Sequence, residues 1–105
     1  MKKIDKEKLA KEFVKEWEMQ EKGHSYLRPS SFRVFVIKLI DQQLVSFYDY
    51  TGSYAILDRA RSSPVFWADD SLEVVFSDLE FAKLVYEYLT RNLPHKSFGL
   101  HQRIA

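Results

Sequence analysis

The sequence predicts an α+β fold, a two-layer sandwich whose antiparallel sheet of three to four strands is flanked by an N-terminal and a C-terminal helix, in the order α-β-β-β-β-α. Three observations predict it. Residues 5–22 and 77–93 carry apolar side chains at helical spacing, and Leu72, Val74 and Phe76 alternate as on a half-buried strand. The stretch between them is rich in β-branched and aromatic residues, broken by "DQQ" and "TGS". At 105 residues the chain is sized for one domain, residues 1–105, with roughly two-thirds of its unfolded surface available for burial.

In "DKEKLAKEFVKEWEMQEK", Leu9, Phe13 and Trp17 recur at i, i+4 and i+8, with Ala10 and Val14 on the same stripe. Glu7 with Lys11 and Glu18 with Lys22 stand in the favourable i,i+4 order on the opposite face, and Gly23 offers a stop. Lys2, Lys3, Lys6 and Lys8 oppose the helix dipole, which predicts a frayed first turn. "GHSYLRPSS" is a loop, because Pro29 biases Arg28 toward extended backbone.

"FRVFVIKLI", Phe32 to Ile40, reads as the first strand. It fails to alternate: Phe32, Val34, Val36 and Ile40 point one way while Phe35, Ile37 and Leu39 point the other. "DQQ" is then a turn and Leu44 to Tyr50 the second strand of an antiparallel hairpin. "YAILDRARS" and "PVFWA" are read as two further strands, although the first also fits a short helix. After the strand Leu72 to Phe76, Ser77 with Glu80 forms a capping box. Phe81, Leu84, Val85, Tyr88 and Leu89 make the stripe of the second helix, which Pro94 ends. Residues 94–105 are an edge strand or a flexible tail.

Two helices cannot cover both faces of such a sheet, so the doubly apolar first strand implies an exposed patch of aromatic and aliphatic side chains. The competing expectation is that a loop or the C-terminal segment, with Phe98, Leu100 and Ile104, folds over it. Charge is unevenly spread. Residues 69–87 hold six acids against Lys83, whereas 23–68 hold Arg28, Arg33, Lys38, Arg59 and Arg61 against three acids.

Composition narrows the function. Apolar residues at 46% and charged residues at 30% describe a folded, soluble chain. Absent cysteine excludes disulfides, thiolate metal sites and cysteine nucleophiles. The basic N-terminus lacks the apolar run of a secretory signal, and no stretch spans a bilayer, so the expectation is a cytoplasmic chain without membrane partners. A net charge of +1 is too small for a dedicated nucleic-acid binder.

No catalytic constellation emerges. His24, His95 and His101 lack metal-ligand spacing, and adjacent Asp69 and Asp70 point to opposite sides of an extended segment. Ser30, Ser31, Ser62 and Ser63 lack the glycine-flanked nucleophile elbow, and Gly23, Gly52 and Gly99 stand too far apart to cradle phosphate. The element order resembles, in outline, double-stranded RNA-binding domains and the Alu-domain proteins of the signal-recognition particle. An RNA-binding domain of that kind needs lysines where this chain has "SDLEFAK", with Asp78 and Glu80.

The expectation is therefore a non-catalytic protein-binding module, regulatory, inhibitory or adaptor in kind, acting through an aromatic sheet face and able to pair with itself. It needs no metal or other cofactor. Trp, Tyr and Arg dominate binding energy where they are desolvated, so the expected contact residues are Tyr26, Arg28, Phe35, Tyr48, Tyr50, Tyr54, Arg59 and Trp67. The alternative is a single-stranded nucleic-acid binder using the same face, with bases stacked on its aromatics.

Overall fold

The computed structural model describes residues 5–22, 31–47, 53–68 and 72–103. Helix α1 spans Lys6–Glu21, and its first turn is fixed rather than frayed. Asp5 is the N-cap, its Oδ1 accepting the Lys8 amide at 3.1 Å, which satisfies one of the donors a helix start leaves free. The Lys6 ammonium is matched across the fold instead of by the helix, with Nζ 3.1 Å from Asp78 Oδ2 and 3.5 Å from Glu80 Oε2. Ala10, Phe13, Val14 and Trp17 are the buried face, as their spacing predicts.

The expected first strand is a helix. α2 covers Ser31–Asp41 and buries Phe32, Val36 and Leu39, at i, i+4 and i+7. The doubly apolar reading arises from projecting a three-sided helical pattern onto two faces of a strand. β-branched Val34, Val36, Ile37 and Ile40 favour strands, but packing of a buried stripe overrides that bias. "DQQ" is accordingly the exit of a helix and not a hairpin turn. Gln43 takes left-handed backbone, φ 62, its amide bonding to Ile40 O at 2.9 Å, while the Leu44 amide reaches Leu39 O at 3.0 Å. These paired bonds close the helix end, and buried Leu44 follows buried Leu39 into the core.

With that hairpin gone, the strand after α2 finds a distant partner. β1 (Val45–Phe47) pairs antiparallel with β5 (Leu72–Phe76), Ser46 opposite Val75. β2 (Tyr54–Asp58) is the hub strand: one edge carries β6 (Phe98–Gln102) along its whole length. Its other edge meets β5 at Tyr54 opposite Phe76, then β3 (Ser63–Pro64) at Leu57 and Asp58. β4 (Trp67–Ala68) pairs with β5, so residues 63–68 leave β2 for β5 and wedge the two strands apart. Val65 N to Ile56 O and Val74 N to Phe66 O, each 3.0 Å, mark the exchange of partners.

α3 (Leu79–Asn92) starts one residue later than the capping box predicts. Asp78, not Ser77, is the N-cap, Oδ2 accepting the Phe81 amide at 2.8 Å. Phe81, Ala82, Val85 and Leu89 are buried, with Leu84 and Tyr88 partly so. The core joins the three helices to one face of the sheet: Val45, Ile56, Val74, Phe76 and Phe98 pack with Phe13, Phe32 and Phe81. The α+β class and the helices at both ends of the strand region are therefore as expected. Among the described residues the order is α-α-β-β-β-β-β-α-β with six strand segments, because one predicted strand is α2 and residues 98–102 are the edge strand.

Candidate binding face

Alternation assigns the other face of the sheet. If Val74, Phe76, Ile56 and Phe98 face the helices, then Ser46, Ala55, Leu57, Glu73, Val75, Gly99, His101 and Arg103 face away. One transverse row crosses it: Pro64 of β3 stands opposite Leu57 of β2, which stands opposite Gly99 of β6. Two strand spacings make this row about 10 Å wide. Trp67, opposite Glu73 and so on the same face, extends it, its indole N–H donating to Pro64 O at 2.9 Å. That bond holds the half-buried ring beside Pro64.

The other end of the row is cationic. A Cβ built on Gly99 would lie 2.6 Å from His101 Nε2 and 2.9 Å from Arg59 Nε, so imidazole and guanidinium share the space over the glycine. Only a residue without a side chain leaves that room. Arg59 reaches it because the β2–β3 turn folds back on β6: Arg59 N donates to Ser97 O at 3.0 Å, and Arg61 N to Asp58 O at 3.2 Å. Asp58 spends one carboxylate oxygen on the Ala60 amide at 3.0 Å. Arg59, Arg61, His95 and Lys96 are all exposed around this end. Further along the face, Arg103 pairs with Glu73, tying β6 to β5 across β2.

Two shifted groups lie away from this face, on the seam between α1 and α3. The hydrogen bond to Asp78 raises the Lys6 ammonium above its ordinary value, and the hydrogen bond to Glu7 raises the Tyr88 phenol. Tyr88 donates to Glu7 Oε1 at 2.7 Å, with Lys11 and Arg91 each 5.5 Å from its ring centre. These pairs fasten two helices. Among the described residues no group of three or more His, Asp or Glu is placed to hold a metal ion, and no helix is long and apolar enough to cross a membrane.

The residues expected to share a contact surface do not all share one. Tyr26, Arg28, Tyr48 and Tyr50 lie outside the described residues. Phe35 is on α2 and packs against the core, and Tyr54 is half-buried on the helix side of β2. Arg59 and Trp67 do belong together, at opposite ends of the transverse row. Leu57, Pro64, Gly99 and His101 complete it and are not among the residues expected from the sequence, which reads 94–105 only as an edge strand or a flexible tail. "FGLHQ" carried the signal in its alternation of Phe98 and Leu100 with Gly99 and His101. The exposed sheet patch built on the predicted first strand is absent, since those residues form the helix α2. Comparison with protein-family models, with curated proteins and with solved structures finds no match.

Proposed function

We propose that this chain is a small non-catalytic protein-binding module, regulatory, inhibitory or adaptor in kind, whose contact surface is the outer face of its sheet. The observation that carries the reading is the row Trp67, Pro64, Leu57 and Gly99 with Arg59 and His101 at its end. It combines an indole held by a hydrogen bond, the half-buried apolar Pro64 and Leu57, and an exposed guanidinium; Trp and Arg are among the side-chain types that anchor protein interfaces. Much of the aromatic content is consumed elsewhere: Phe13, Phe32, Phe66, Phe76 and Phe81 are buried. Binding therefore rests on few residues, and each matters more. Loss of one such anchor costs about 2 kcal/mol or more, which is roughly 30-fold in Kd.

The test is affinity capture from the native host with the tagged chain, compared with Arg59→Glu and Trp67→Ala. Arg59 is exposed, so its reversal leaves the melting temperature unchanged while the captured protein is lost. Retention by both variants sinks the sheet-face reading. Sedimentation of the purified chain decides whether the partner is a second copy.

A second reading is favoured by the exposed cations Arg59, Arg61 and Lys96 at one end of a row whose other end is Trp67: single-stranded nucleic acid with its backbone on the cations and a base on the indole. Fluorescence anisotropy with a labelled oligothymidine separates the two. Phosphate neutralisation gives affinity that falls linearly in log–log form with salt, and a protein interface of mixed apolar character does not.

A further inference from the structure

We propose that the edge of β6 turned away from β2, with which no strand among the described residues pairs, accepts an extended, acidic segment of a partner protein as an added strand. This goes beyond the sheet-face reading, because it uses backbone groups of Phe98–Gln102 and does not need Trp67. The ladder fixes which groups are available. Arg59 N donates to Ser97 O, and Arg103 N donates to Ser53 O at 2.7 Å, so the odd-numbered residues of this strand turn their amides and carbonyls toward β2. Phe98, Leu100 and Gln102 turn theirs away. The Phe98 carbonyl is taken by the Tyr86 hydroxyl at 3.1 Å. Leu100 and Gln102 present the remaining groups, and among the described residues no strand pairs with them.

Edges of this kind are usually blunted by shortness, proline, inward charge or a bulge. β1, at the opposite side of the sheet, has three residues among those described. β6 has five, with neither proline nor a bulge in its register with β2. Charge complementarity selects the occupant. Residues 93–102 contain His95, Lys96 and His101 and no acid, Arg103 being paired with Glu73, and the Arg59 guanidinium lies over Gly99 beside His101.

Alternation then sets the pattern the added strand must carry. Side chains paired with Gly99 and His101 fall on the outer face beside Arg59 and are acidic. Those paired with Phe98 and Leu100 fall on the helix side and are apolar, since Leu100 is half-buried against the core and Tyr86 of α3 stands over Phe98. An acidic–apolar repeat of period two is the recognition code. A second copy of this chain would bring the same basic edge to itself.

The probe is a synthetic array of seven-residue peptides alternating Glu or Asp with Val, Ile, Thr or Tyr, beside an otherwise identical array with Lys in place of the acids. The tightest binder is titrated into the isotopically labelled full chain. The expected result is that the Leu100 and Gln102 amide resonances move and their hydrogen exchange slows at least tenfold. Acidic peptides bind at least tenfold tighter than the lysine set, and Gln102→Pro, which deletes an outward amide without touching the β2 ladder, weakens binding at least tenfold. Should Gln102→Pro unfold the chain, the exchange of Leu100 and Gln102 in the unaltered protein still decides. Trp67→Ala binds the peptides normally if the edge is the site, whatever becomes of the sheet-face reading. The proposal is overturned if the edge amides neither move nor slow, if lysine peptides bind equally well, if folded Gln102→Pro binds unchanged, if an oligonucleotide protects those amides and the peptides do not, or if the chain dimerises through this edge and excludes them.

Discussion

Phe13 stands edge-on to Phe32, Phe66 and Phe81, at ring-centre distances of 5.1, 4.8 and 6.0 Å, and tilted toward Phe76 at 5.6 Å. One α1 side chain thus meets rings from α2, α3, β5 and the wedge segment, and its loss opens a void that rigid neighbours cannot fill. Phe13→Ala is expected to destabilise by about 3–5 kcal/mol in urea unfolding. A cost below about 1 kcal/mol would mean the cluster is not the keystone of packing. Gly99 makes the opposite kind of prediction. The atoms a methyl group would strike are the far ends of Arg59 and His101, both exposed and able to rotate away. Gly99→Ala should change stability by under about 1 kcal/mol while moving the His101 ring resonances. Unmoved resonances would place that imidazole elsewhere.

At the scale of elements, α1, α3 and β5 were readable because each carries one period over its whole length. Residues 31–41 were misread because Phe32, Val36 and Leu39, the residues that pack, are interleaved with β-branched ones that do not. Val34 and Ile37 are 49% and 46% exposed, so their apolar character reports nothing about burial. The candidate face was half-readable for a related reason. Arg59 and Trp67 stand out by type, but the row joining them is made by register between strands forty residues apart, which no local pattern contains. The helix assignment has a direct test. Val34→Ala should stabilise by about 0.5 kcal/mol, because alanine is the better helix former at an exposed site. On a strand the same change lowers stability, so a fall in the denaturation midpoint would refute α2.

Over the whole molecule, the first turn of α1 is held to the start of α3 by Lys6 with Asp78 and Glu80, and its outer face by Glu7 with Tyr88. Both Lys6 and Tyr88 keep their protons more tightly folded than unfolded. Their contribution is therefore complete below the ordinary values of 10.5 and 10.0 and is lost as pH climbs through the raised ones. Thermal melts from neutral to alkaline pH should show a decline starting near pH 10 that is shallower in a Lys6→Met, Tyr88→Phe double variant. Superimposable profiles would deny these pairs any role. β2 bears a different consequence. It is central to the sheet, yet the partner that lies along it from end to end is made some forty residues later. A nascent chain emerging from the ribosome must carry β2 with an open, sticky edge until Phe98–Gln102 arrives, so the sheet cannot close before that segment is made and is vulnerable to anything that delays it.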